Sequence, residues 1–232
     1  MSTSAAVADS PLRRYGIFGL LALACGYLAW RDQNIPWAWL AVSFVAVLVA
    51  YVGVGPKLFG KRAKDGSFAL WAVAFWLPYF LLTWSIWYLG RWVRRKPHSH
   101  EIIPGLWLGA WPDTAKRLPP NTALVVDLTA EFPRRAKAWE YLCLPTLDAD
   151  APTPEALRTA VAAIENASGS VYVHCAAGHG RSATIVAAVL IARGLAKDLD
   201  DAEAQLQRIR PGVRLTPPQR RLLTQHSLDR GL

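Results

Sequence analysis

Nineteen consecutive residues, Trp37 to Gly55, carry no charge. A run of that length matches the thickness of bilayer hydrocarbon, which about 20 helical residues cross. That one feature predicts a transmembrane helix. A second uncharged run, Phe68 to Gly90, has twenty-three residues with Pro78 near its centre. Ahead of both lies a sixteen-residue apolar run, Tyr15 to Trp30, preceded by Arg13 and Arg14. It is slightly short for a span and has the flanks of a secretory leader. No small-x-small cleavage site follows it and the next apolar run comes at once, so the sequence favours a retained anchor. Residues 1–97 are therefore expected to form a membrane region of two to three apolar helices, followed by a folded domain over 98–232.

Charge follows the same division. Residues 1–97 hold 11 Lys and Arg against 3 acids, a net of +8, whereas the rest of the chain is close to balanced at +1. A nucleic-acid binder usually carries its positive charge on the folded domain. Here the excess borders apolar runs, where Lys and Arg set topology and meet anionic headgroups. The partner implied is a membrane, with no nucleic acid. Two clusters, Lys57, Lys61, Arg62 and Lys64, then Arg91, Arg94, Arg95 and Lys96, flank the third run. The positive-inside bias wants both in the cytoplasm. Three plain crossings, the arrangement favoured here, separate them. The alternative is that the third run, interrupted at Pro78, dips in and returns. Pro97 to His100 looks like a solvated linker. Cys25 and Cys143 lie in apolar runs as small hydrophobes, and three cysteines at irregular spacing suggest neither disulfides nor a zinc site.

The remainder alternates between strand and helix patterns. Glu101–Gly109, Ala123–Thr129, Glu140–Pro145 and Ser170–His174 are strand-like. Thr153, Pro154 and Glu155 open a helix that ends near Gly169, with the usual cap and first-turn chemistry. A nearly all-apolar and hence buried helix runs from about Ser182 to Ala192. Two amphipathic helices finish the chain: Asp200–Arg210, and one opening at Thr216 with Gln219 as a capping-box partner. Such alternation predicts an α/β domain around a largely parallel sheet.

One segment asks for chemistry. In Val171-Tyr-Val-His-Cys-Ala-Ala-Gly-His-Gly-Arg-Ser182 a short apolar strand runs into a loop bounded by Cys175 and Arg181, and a helix follows. Such a loop, Ala176, Ala177, Gly178, His179 and Gly180, can turn its N–H groups toward one point. The helix dipole adds positive potential there. Arg181 offers a planar fork for two phosphate oxygens. The same setting lowers a thiol pKa from about 8.5 into roughly the 3.5–7.5 range. Cys175 is thus the candidate nucleophile. Ser182 is placed to donate to its sulfur, and His174 to orient the loop.

The pattern His-Cys-x-x-Gly-x-x-Arg-Ser over residues 174–182 resembles the signature of the cysteine-dependent protein tyrosine and dual-specificity phosphatases. Rhodanese-like proteins and arsenate reductases share the Cys-x5-Arg spacing, but His174 and the Arg181-Ser182 ending favour the phosphatases. The resemblance implies a dual-specificity-phosphatase-like α/β domain, and with no Walker A motif and no metal-ligand cluster in the sequence neither metal nor nucleotide nor other cofactor is expected. The resemblance also implies a carboxylic acid on an upstream loop. Asp148, 27 residues before Cys175, is the first choice and Asp150 the second. Trp111-Pro112-Asp113 spells the acid-loop motif of the larger tyrosine-specific enzymes but follows the domain's first strand, so Asp113 is rejected. Asp127 is expected to serve a structural hydrogen bond at a strand end.

Leu144–Leu157, the Cys175 loop and Gly105–Ala110 are similar to the mitochondrial phosphatidylglycerophosphate phosphatase type. That likeness implies hydrolysis of a phospholipid headgroup at the bilayer, and the catalytic thiol calls for a reducing, cytoplasmic face. The alternatives are a membrane-tethered phosphotyrosine or dual-specificity protein phosphatase and, lower, a catalytically silent membrane scaffold. Phosphatases of multiply phosphorylated inositols tend to carry Lys in the loop, where this chain has Ala176, Ala177 and His179; His179 either supplies a part-time charge or faces solvent. Arg208, Arg210, Arg214, Arg220 and Arg221 either meet anionic lipid or form a solvated helical face.

Overall fold

The computed structural model describes residues 11–94, 97–135 and 140–229; Arg95 and Lys96 of the second basic cluster lie outside them. Two compact units emerge: residues 1–60 with 68–90, and residues 61–67 with 91–232. The short segment 61–67 clusters with the second unit although it precedes the boundary drawn at residue 97.

The first unit is helical. Helices α1 (Pro11–Asp32) and α2 (Ile35–Val49) pack through Ala22, Cys25 and Phe44, with Phe18, Leu21, Trp37, Leu40 and Ala41 around them. A π turn, Ala50–Val54, extends α2. Helix α3 (Leu70–Arg94) keeps Pro78 inside it. Proline removes an i→i−4 bond, and in the turn before it the carbonyl of Phe75 accepts from Trp39 Nε1 (2.9 Å) and Ser43 Oγ (3.2 Å). Aromatic rings of Phe59, Trp76, Tyr79 and Phe80 stack beside that point, and Trp76 Nε1 donates to Leu58 O. Ile35–Val54 and Leu70–Val93 are long and apolar enough to span a bilayer, at mean hydropathies of 2.1 and 1.4. Helix α1, which contains the first apolar run, is not among these.

The second unit is built on a five-stranded sheet of order β1-β2-β5-β3-β4. Its strands are β1 (Ser99–Ile103), β2 (Leu106–Ala110), β3 (Thr122–Thr129), β4 (Glu140–Thr146) and β5 (Ser170–Cys175). The single strand expected over Glu101–Gly109 is instead a hairpin. Pro104 and Gly105 turn the chain, Gly105 adopting φ +80°, and β1 runs antiparallel to β2. All other pairings are parallel. The expected linker at 97–100 is also corrected. Ser99 and His100 pair with Gly109 and Leu108, and His98 stacks on Tyr172. Burial, with help from neighbouring cations, pushes His98 down to about 3.

Helices α4 (Pro154–Glu165), α5 (Arg181–Ala192), α6 (Leu199–Ile209) and α7 (Pro217–Asp229) complete the unit. Thr153 caps α4 by accepting from Ala156 N, and Asp198 caps α6 by accepting from Asp201 N. Helix α5 is buried along almost its whole length, as its uninterrupted apolar composition requires. It packs with Leu108, Val126, Val173 and Cys175 in one core. Because side chains alternate across a strand, Asp127, Tyr172 and His174 lie on the other face of the sheet, and all three are buried.

Candidate active site

Strand β5 ends at Cys175 and α5 begins at Arg181, so the loop between them sits at the carboxyl edge of a parallel sheet and at a helix N-terminus. Gly178 adopts φ +73°, and a Cβ there would lie 2.3 Å from the carbonyl oxygen of Gly109. Only glycine lets the loop cross β2 this closely. Gly178 N and Ser182 Oγ each lie 3.3 Å from Cys175 Sγ. Burial alone would raise this thiol. The Arg181 charge and the bonds from Ser182 and the His179 backbone outweigh it, and the pKa falls below the ordinary thiol value.

Arg181 is 1 % exposed. Its Nη2 donates to Glu131 Oε1 (2.7 Å) and to Asp148 Oδ1 (3.1 Å), and its Nη1 to Glu131 Oε2 (3.0 Å) and Thr146 O (2.8 Å). Those carboxylates more than offset the desolvation of the guanidinium and keep it charged. Its Nε is buried and makes no hydrogen bond among the described residues. The sequence reading missed Glu131. Its only signal there was an acid placed among otherwise apolar residues just after β3.

The Asp148 side chain is 68 % exposed and reaches Arg181 at the end of the loop. Asp150 spends its Oδ1 on Ala151 N. The loop that carries both is fixed from α7: Thr216 Oγ1 donates to Ala149 O (3.0 Å) and Gln219 Nε2 to Asp150 O (2.9 Å). The capping box therefore closes on one side only. Gln219 reaches back to Thr216 N (2.9 Å), while the threonine hydroxyl serves the acid loop. Asp113 lies 3.5 Å from Arg117. Asp127 takes the expected strand-end bonds, from Thr129 N and Oγ1 (2.7 Å each), and accepts also from Tyr141 and from Lys61. Its carboxylate lies 3.8 Å from His174 Nε2. Burial pushes the Cys143 thiol up to about 12, helped by Asp127, which suits an inert core position.

The basic run splits. Arg210 is 4 % exposed and holds the Cys175 loop from behind, Nε to Gly178 O and Nη2 to Ala177 O at 2.8 Å each. It meets neither lipid nor solvent. Arg220 pairs with Asp200 and Glu203, while Arg208, Arg214 and Arg221 are exposed. His179 is half-buried and rests on Gly212, where a Cβ would fall 2.4 Å from its Nε2. Among the described residues no group of three or more His, Cys, Asp or Glu side chains is placed to hold a metal ion.

The dual specificity phosphatase catalytic-domain family matches residues 106–228. Among solved structures, that of PTPMT1 in complex with PI(5)P is similar at 26% identity and a TM-score of 0.50, over 56% of this chain and 95% of the other. The active form of Tk-PTP matches at 27% and 0.50, over 57% and 97%. Human DUSP28 shares the fold, at 23% identity and 0.51 over 59% and 97%. No curated protein matches the chain.

Proposed function

The chain belongs to the dual specificity phosphatase family and is a phosphoric monoester hydrolase; from that premise we propose that it is anchored in a membrane and dephosphorylates a phospholipid headgroup through a phosphocysteine. The reaction runs in two steps. Thiolate Cys175 attacks phosphorus in line, the bond to the leaving oxygen breaks, and Asp148 gives that oxygen its proton. Water then attacks the phosphocysteine, Asp148 takes its proton, and the sulfur leaves as thiolate while Ser182 donates to it. Arg181 and the N–H groups of residues 176–180 bear the charge of the equatorial oxygens throughout. A dianion bound on Arg181 competes for the guanidinium with Asp148, freeing the carboxyl to face the leaving group.

The observation that carries this reading is the position of Cys175 Sγ, held 3.3 Å from two donors beside a buried arginine whose Nε meets no acceptor among the described residues. The lipid substrate is supported by the likeness to PTPMT1, a protein solved with PI(5)P bound. It is further supported by two helices of membrane-spanning length. A loop without lysine suits a headgroup with few phosphates. The test is a substrate panel on the full chain reconstituted in vesicles: phospholipid monoesters in the bilayer against phosphotyrosine and phosphoserine peptides, with Cys175→Ser and Asp148→Asn as controls. Phospholipid turnover should lead and vanish in Cys175→Ser. Faster turnover of peptides would replace the lipid reading, and turnover surviving in Cys175→Ser would sink the mechanism.

A further inference from the structure

Parallel sheets bury both faces, and here the helices' core lies on one of them. The other presents Asp127, Tyr172 and His174, all buried and polar. What closes over Asp127 comes from outside the family-matched region 106–228, from residues 61–67. These form a compact turn. Arg62 N donates to Ser67 O and Gly66 N to Arg62 O (2.8 Å each), and Asp65 Oδ1 accepts from Ser67 N and Oγ. The turn is sewn to the sheet at two points. Gly66 O accepts from Arg134 N (3.0 Å), and Gly66 lies so close on Tyr141 that a Cβ would meet its hydroxyl at 2.3 Å. Lys61 Nζ, with its side chain 0 % exposed, donates to Asp127 Oδ2 (2.7 Å), Thr129 O (2.7 Å) and Thr129 Oγ1 (2.8 Å). All three ammonium donors are used, and the same carboxylate faces His174, the residue before Cys175.

We propose that the connector Lys61–Ser67 is a working part of the catalytic unit, with Lys61 a positioning residue that fixes Asp127 and, through it, the imidazole behind the nucleophile. The inference rests on the phosphatase reading of Cys175. An uncompensated anion beside His174 would draw a proton onto the ring. With Lys61 in place, burial holds His174 down to about 4, Asp127 opposing this and Lys61 and Arg181 adding to it. The other titratable and charged groups around the ring are Arg134 and Arg135 after β3, Tyr141 on β4, Tyr172 and Cys175 on β5, and His98 ahead of β1. Burial thus keeps the ring neutral at the base of the loop, and Lys61 adds to this by pairing with the anion that opposes it.

A topological consequence follows. A folded unit occupies one side of a bilayer, so residues 61–67 and the segment from Arg91 onward share that side. Both basic clusters then face the cytoplasm, as the positive-inside bias asks. The third apolar run then begins and ends on the same side of the bilayer.

The test is a double-mutant cycle on the full chain in detergent micelles: Lys61→Met, Asp127→Asn and the pair. Tm, kcat/KM on a phosphate monoester and the NMR titration of labelled histidines are read for each. Each single change should lower Tm, and kcat/KM should drop roughly tenfold or more, because it strands one buried charge. The pair should recover most of both losses, since interacting sites are not additive. Lys61→Met alone should move the His174 titration up by about a unit or more. Additive losses in the pair, or one unchanged His174 titration in all three variants, would overturn the proposal. So would a pair that fails to fold while Asp127→Asn folds. If Lys61→Met itself does not accumulate, the recovery or failure of the pair decides. Cys175→Ser in the same background separates the two readings. Turnover surviving it would remove the nucleophile assignment, while the Tm and titration cycle still judges Lys61.

Discussion

Replacing Arg210 with Met should loosen the phosphate-binding loop without touching any group that meets substrate. Arg210 donates to the carbonyls of Gly178 and Ala177 at 2.8 Å, pulling both oxygens to the back of the loop so that its N–H groups face forward. A hydrogen bond from a charged donor contributes about 1.5–3 kcal/mol, and a buried acceptor left unpaired costs about 1–3 kcal/mol. Ala177 is exposed and its carbonyl can take water, whereas Gly178 is buried and its carbonyl cannot. Counting the first at about 1 and the second at about 2 kcal/mol gives a loss of about 3 kcal/mol. For a unit of this size that is a fall in Tm of about 6–12 °C. If the loss is felt fully in the transition state, kcat/KM drops by about two orders of magnitude. Thermal unfolding and para-nitrophenyl phosphate hydrolysis by the full chain in detergent read both. Arg210→Lys, which can keep one of the two bonds, should fall between. A methionine variant with wild-type Tm and kcat/KM would show that the loop holds its own carbonyls back, and the reasoning would fail.

Other outcomes follow from the same geometry. A thiolate nucleophile exists above its pKa, so kcat/KM should rise with pH through the lowered pKa of Cys175. Ser182→Ala removes a donor that stabilises the anion, so the acid limb should move to higher pH by about half a unit to one; an unmoved limb in the pH–rate profile would count against the Ser182 bond. Gly178→Ala should unfold far more easily than Gly105→Ala in thermal scans. Both sit at positive φ, which costs an alanine about 1 kcal/mol, but only Gly178 has a backbone oxygen at 2.3 Å from the added carbon. Cysteines introduced at the exposed positions Lys64 and Arg158 should react with an impermeant maleimide from the same side of sealed vesicles. Labelling from opposite sides would restore three plain crossings.

Local rules make some features legible in a sequence. Charge-free length marked the apolar helices, and cap chemistry placed α4, whose opening Thr153 and Pro154 announce. A strand, a glycine-bearing loop and a buried helix in immediate succession carried Cys175, Arg181 and Ser182, because nucleophile, anion cradle and guanidinium are contiguous along the chain. Asp148 stood out as an acid directly after a strand. The same signals failed where partners are far apart. Glu131 grips Arg181 from fifty residues away, and Arg210, one basic residue among several, is distinguished only by the carbonyls that it reaches. The strand expected over Glu101–Gly109 became a hairpin because alternation does not register a turn at Pro104 and Gly105. Lys61 is the sharpest case. Beside an apolar run it had every mark of a cytoplasmic anchor, and only tertiary packing made it the counter-ion of Asp127, sixty-six residues on. By itself the sequence determined the chemistry of the Cys175 loop, since those groups are bonded in order; which distant charges hold that loop in shape was decided by the fold, because burial turns a solvated charge into one that must find its partner.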